Sequence, residues 1–150
     1  MALVLTRQNL PLYENSGVEA LKGGYIISDS KKETPDMLLM ASGSEVEQCV
    51  GAQAILAEQG IDARVISMPS FELFDAQSEE YKESVMPKAV RKRVAVEAAA
   101  SFGWHKYVGL DGETVTLDHF GASAPAKLLF KEYGFTNENV AAVAKRVFDK

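Results

Sequence analysis

Cysteine, histidine and long apolar runs are all scarce in this chain, and each shortage removes a class of function. Cys49 is the single cysteine among 150 residues, so neither an internal disulfide framework nor a cysteine-rich metal centre can form. The two histidines, His105 and His119, are far apart and lack an H-E-x-x-H or H-x-x-E-H context, so no metal site is expected. The chain has no P-loop, no G-x-G-x-x-G and no G-x-S-x-G, which leaves a self-contained nucleotide site or a hydrolase elbow without support. Apolar runs are too short for a signal peptide core or a membrane span, and a cytoplasmic protein is the expectation. Positive charge is also short: 16 Lys and Arg against 21 Asp and Glu give a net charge of −5. No basic stripe is available to neutralise phosphates, which argues against a nucleic-acid partner.

What remains is ordinary for a globular chain: 47% hydrophobic and 25% charged residues, enough for one domain with one core. Its organising stretch is Asp36 to Met68. Met37 to Ala41 is apolar without alternation, as suits a strand buried on both faces. Ser44 and Glu47 stand at capping-box spacing, so the Ser44 hydroxyl is expected to cap the following helix. Val46, Cys49, Val50 and Ala57 are read as its buried stripe and Gly60 as its left-handed stop, with Cys49 a small core hydrophobe. Val65 to Met68 resumes the sheet, completing a β-α-β unit that is right-handed and needs layers on both faces.

Elsewhere the chain supplies those layers. Ala2 to Leu5 reads as strand-like without a preceding partner, which predicts a piece of a longer polypeptide, and residues 1–20 read as a connecting arm. Tyr25 to Ser28 is a short strand, and the polar run Asp29 to Pro35 predicts a hairpin-like return antiparallel to Met37–Ala41. Phe71 to Asp75 predicts one helical turn and Ser78 to Val85 a short helix stopped by Pro87. The cations between Lys88 and Arg93 read as a solvated loop entering the strand Arg93–Ala98. Phe102 to Val108 is aromatic and bounded by glycine, which suits a packed lid or a subunit contact. Glu113 to Leu117 alternates as the last strand. A helix with Pro125 in its first turn should turn Leu128, Leu129 and Tyr133 to one side, and Thr136 should cap a final helix carrying Val140, Val143, Ala144 and Val147. The sum is a three-layer α/β/α domain with a mostly parallel, mixed five-stranded sheet whose first strand is antiparallel.

Few residues advertise chemistry. Glu97 lies at the C-terminal end of its strand, where open α/β sheets place ligand crevices, although loop amides holding a carboxylate would suffice to explain it. Ser42, Ser44 and Ser123 lie in turns before helices, where anions bind but where simple caps are commoner. Together Ser42, Ser44, Glu97 and Ser123 form a candidate anion or regulatory crevice. Arg7 stands in the arm outside any balanced helix face; it is either a plain surface arginine or a fork for a phosphate.

Several longer runs carry a resemblance. Leu3-Val-Leu-Thr-Arg-Gln-Asn-Leu-Pro11, Ala41-Ser-Gly-Ser-Glu-Val46, Ser67-Met-Pro-Ser-Phe-Glu-Leu-Phe-Asp-Ala-Gln77, Glu97-Ala98 with Trp104–Gly109, and Phe120-Gly-Ala-Ser-Ala-Pro125 with Tyr133-Gly-Phe-Thr136 resemble the C-terminal domain of transketolase. The resemblance assigns residues 21–150 to that domain and residues 1–20 to an arm from a preceding pyrimidine-binding domain. It implies a homodimeric enzyme with thiamine diphosphate and a divalent cation, Mg²⁺ or Ca²⁺. Such an enzyme moves a two-carbon ketol unit from a ketose phosphate to an aldose phosphate in the pentose phosphate pathway. Arg7 matches the family arginine that binds the substrate phosphate. The motifs for metal, diphosphate and aminopyrimidine lie outside this stretch, so the chain alone is expected to bind no cofactor, to catalyse nothing and to support the dimer. A regulatory or interaction module, using Phe102–Val108 and the crevice, is the other reading. The same domain of dihydroxyacetone synthase resembles it equally, an oxo-acid dehydrogenase β subunit less well.

Overall fold

The computed structural model describes residues 2–150. Five strands, β1 (Tyr25–Ser28), β2 (Met37–Ala41), β3 (Ala63–Ser67), β4 (Arg93–Glu97) and β5 (Glu113–Thr116), form one sheet in the order β1-β3-β2-β4-β5. The helices are α1 (Val46–Glu58), α2 (Phe71–Asp75), α3 (Glu79–Val85), α4 (His105–Val108), α5 (Ala126–Glu132) and α6 (Asn137–Phe148). Strands β3, β2, β4 and β5 are parallel, and β1 is antiparallel, as the alternation and loop lengths predict.

The partner of β1 differs from the expectation. It pairs with β3, Tyr25 opposite Ser67, and makes no hairpin with β2. The reason lies in the polar run after it. Both sides of β2 are occupied by parallel neighbours, and the connection must cross the start of β3 to reach it. Asp62, just before β3, holds that crossing. Its carboxylate accepts the amides of Lys31 and Lys32 at 3.0 and 2.7 Å, while its own N–H donates to Asp36 at 2.8 Å.

Side chains alternate between the two faces of the sheet with period two. Met37, Leu39, Ala41, Ala63, Val65, Val94 and Val96 meet α1 and α6. Leu38, Met40, Ile66 and Ala95 meet Phe74, Val85, Trp104, Tyr107 and Val108 from α2, α3, α4 and the turn before α4. The expected stripe of α1 is half right. Val46 and Cys49 are buried together with Ala52 and Leu56, but Val50 is only partly covered and Ala57 is exposed, because the stripe continues from Cys49 in steps of three and four. Gly60 takes φ 78 and ends the helix as expected. Thr136 caps α6, accepting the Asn139 amide at 3.2 Å, and Val140, Val143, Ala144 and Val147 are buried. Ser78 caps α3 in the same way.

Other expectations fail for physical reasons. Ala2–Leu5 forms no strand and lies exposed, joining neither edge of the sheet. In α5 the inward residues are Phe130 and Tyr133, and Leu128 is exposed. The aromatic stretch 102–108 is no lid: Trp104 and Tyr107 are core residues packed edge-on and tilted against Phe71, ring centroids 4.8 Å apart, while Phe102 stands outside, 90% exposed. Arg93 leaves the solvated loop. Its guanidinium donates to the carbonyls of Val90, Pro87 and Tyr107 at 2.7, 2.9 and 2.9 Å, satisfying groups that loops and helix ends leave open.

Candidate functional site

The parallel strands β2 and β4 end side by side, Ala41 beside Val96 in register, and the chain beyond each carries the polar groups of interest. Ser42 follows β2 and donates its hydroxyl to Glu97 Oε2 at 2.6 Å. The turn Gly43–Glu45 then folds Glu45 beneath, where only 4% of its surface remains exposed. Ser44 donates its hydroxyl to Glu45 Oε1 at 2.5 Å, and the Ala98 amide donates to Glu45 Oε2 at 3.3 Å. Ser44 therefore does not cap α1, because its hydroxyl is spent on the neighbouring carboxylate. Nor is Glu97 held by loop amides: its hydrogen-bond partner is the Ser42 hydroxyl. Burial raises the Glu97 carboxyl to about 7; the Ser42 hydrogen bond works against this, and the charge and hydrogen bond of Glu45 add to it.

Of the four crevice residues, the structure thus brings together Ser42, Ser44 and Glu97. Ser123 lies exposed in the coil before α5 and makes no hydrogen bond to the others among the described residues. Glu45 was missed. It sits in a turn read only for its caps, and neither period two nor period 3.6 marks a residue between strand and helix.

Outside this edge, an open cavity of about 550 Å³ separates the arm from the N-terminal ends of α1 and α6, with Asn9, Ser44, Gln48, Lys127 and Asn137 on its walls. Arg7 lies one turn of chain earlier, exposed, in a bend. The Gln8 amide and side chain both donate to the Thr6 hydroxyl, at 3.3 and 3.2 Å, which folds the chain tightly around Arg7. The guanidinium makes no hydrogen bond among the described residues, so all of its donors face outward. Among those residues no group of three or more His, Cys, Asp and Glu side chains is placed to hold a metal ion. No helix among them is long and apolar enough to cross a membrane.

Residues 23–136 match a family model described as the transketolase-like TK C-terminal domain. The chain belongs to that family. A transketolase of Bacillus subtilis is 52% identical over 99% of this chain and 23% of its own length. A crystal structure of the Pichia stipitis transketolase in complex with sedoheptulose-7-phosphate superposes with a TM-score of 0.86 at 43% identity, over 95% of this chain and 20% of that one. The Leishmania mexicana transketolase gives the same TM-score at 39% identity, with the same coverage. The transketolase-like domain seen here therefore spans less than a quarter of the length of the relatives it matches, and its five-stranded mixed sheet is theirs.

Proposed function

We propose that this chain serves as the C-terminal domain of a transketolase, a ketol-transferring homodimer of the pentose phosphate pathway, and that its part in the reaction is to hold the phosphate of the sugar substrate through Arg7. The observation that carries this is the outward, uncommitted guanidinium of Arg7 in the tight Thr6–Gln8 bend, in a chain of this family. An arginine fork presents two parallel N–H donors to two phosphate oxygens, which fixes the far end of a sugar phosphate as well as binding it. In such an enzyme thiamine diphosphate with its divalent cation supplies the carbanion chemistry, and this chain contributes position only. Residues 1–20 act as the arm joining the preceding domains, and residues 21–150 as the domain itself. Exposure of Leu3, Val4, Leu5 and Leu12 suits an arm that packs on the rest of a longer protein.

The test is a chimera in which this chain replaces the corresponding stretch of the Bacillus subtilis transketolase. The chimera should transfer ketol units, and Arg7→Ala should raise KM for the ketose phosphate by about 10- to 100-fold with kcat little changed. That range follows from losing a charged hydrogen-bonded pair of about 1.5–3 kcal/mol. Unchanged KM would remove Arg7 from the site. The 150-residue chain by itself should give no heat on calorimetric titration with thiamine diphosphate and Mg²⁺; micromolar binding would overturn the assignment of the cofactor site to other domains.

A further inference from the structure

The arm that carries Arg7 has few ties, and the ones it has sit on either side of that arginine. Residues 2–12 are all exposed. The arm meets the core at Tyr13, which packs on the first face, and at Asn15, whose side-chain amide donates to the Ile27 carbonyl at 3.2 Å. Among the described residues before Tyr13, Gln8 is the one hydrogen-bond donor and Thr6 the one acceptor. The Gln8 backbone N–H and its side-chain Nε2 both reach the Thr6 hydroxyl oxygen, at 3.3 and 3.2 Å. A hydroxyl oxygen offers two acceptor sites, and both go to the residue on the far side of Arg7. A bond from an amide two residues on to a threonine hydroxyl is a local turn, independent of any neighbouring element.

We propose that Thr6 is a positioning residue for Arg7: its hydroxyl holds the bend that aims the guanidinium, and it acts on the sugar phosphate only through that arginine. The inference rests on the phosphate role of Arg7 given above. An arginine on a free arm loses backbone and side-chain freedom each time it closes on a phosphate. A bend already set by Thr6 and Gln8 removes part of that loss before the substrate arrives, and binding tightens accordingly. The branched shape of threonine and its acceptor oxygen can be separated by substitution. Thr6→Val keeps the branch and deletes the acceptor, whereas Thr6→Ser keeps the acceptor and deletes the methyl. Thr6 is exposed and belongs to neither core face, so both changes leave folding intact.

In the chimera with the Bacillus subtilis transketolase, Thr6→Val should raise KM for the ketose phosphate by about 2- to 10-fold, the loss expected for one ordinary hydrogen bond, with kcat little changed. Thr6→Ser should bring KM back to within about twofold of the native value, since the acceptor is restored. In an Arg7→Ala background Thr6→Val should change KM no further, because the group it positions is gone. An equal rise with and without Arg7 would overturn the role of Thr6 and leave that of Arg7 standing. So would an unchanged KM in Thr6→Val where Arg7→Ala gives its full effect. No effect from Arg7→Ala would instead remove the phosphate role itself, and the role of Thr6 with it. The bend can also be read without catalysis, in the 150-residue chain. By NMR the Gln8 amide proton should show the shallow temperature dependence of a bonded amide in the native chain and in Thr6→Ser, and the steep one of a solvated amide in Thr6→Val. The same steep dependence in all three would overturn the proposal whatever the kinetics.

Discussion

Arg64 shows what a single residue does in this fold that its sequence context does not announce. It lies within the buried strand β3, on the same face as Ile66, and is only 6% exposed. A charge there would be costly if it were not fully bonded. Its Nε donates to Asp29 at 2.6 Å, and its Nη1 donates to the carbonyls of Ser84 and Val85 at 2.8 and 3.2 Å. Those carbonyls belong to the last turn of α3, where helices leave acceptors open and where cations are favoured. Arg64 thus closes α3 against the sheet as Arg93 closes the loop below it. Both arginines look in the sequence like surface charges beside apolar runs, because hydrogen bonding to distant carbonyls leaves no periodic trace. Arg64→Met should destabilise the chain by about 2–3 kcal/mol, since it strands buried carbonyls while keeping much of the volume. Urea unfolding would measure it. Arg64→Lys should recover only part, because one ammonium cannot span the same three acceptors.

At the level of elements, the long periodic segments were readable and the short aromatic ones were not. The apolar 0, 3, 4, 7 spacing of α6 and the unbroken apolar run of β2 dictate their burial directly. The hairpin expectation for β1 failed because pairing depends on which edges of the sheet stay free, a property of the whole sheet. The stretch 102–108 failed differently: exposed and buried aromatics have the same composition, and only the 4.8 Å contacts with Phe71 show that Trp104 and Tyr107 complete the second face. Trp104→Ala should therefore cost about 3–5 kcal/mol, the range for emptying a buried aromatic site, and broaden or abolish the thermal transition seen by circular dichroism. Phe102→Ala, two residues away and outside the core, should stay within about 0.5 kcal/mol of the native chain. Equal effects at both positions would mean that the aromatic stretch is not packed on the second face. The candidate site divides in the same way. Arg7 stood out because its neighbours Thr6, Gln8 and Asn9 are uncharged and no helix face balances it, whereas Glu45 could be recognised only once β2 and β4 were known to end together.

For the molecule as a whole, two sets of carboxyls pull its stability in opposite directions with pH. Glu113, at the start of β5, accepts from Arg146 near the end of α6 and from Lys150, and the Arg146 hydrogen bond chiefly holds its carboxyl down at about 2. A carboxyl lowered from 4.5 lends stability that is present above 4.5 and lost as the pH falls toward 2. Asp36, hydrogen-bonded by Lys32 and by the Asp62 amide, is shifted the same way. Glu97 has the opposite sign. Raised from 4.5 to about 7, it lends stability that is fully present below 4.5 and lost as the pH rises through 7. The net charge of −5 at pH 7 adds mild self-repulsion on that side. Folding of the 150-residue chain should therefore be most favourable in mildly acid solution, near the meeting point of the two windows, and should weaken on both sides. Urea midpoints measured from pH 3 to pH 8 would trace the curve. Glu113→Gln should flatten only the acid limb and Glu97→Gln only the limb between 4.5 and 7, because the two carboxyls sit in separate networks at different parts of the sheet. A single variant flattening both limbs would show that one shared unfolding event, and not two independent carboxyls, sets the pH dependence.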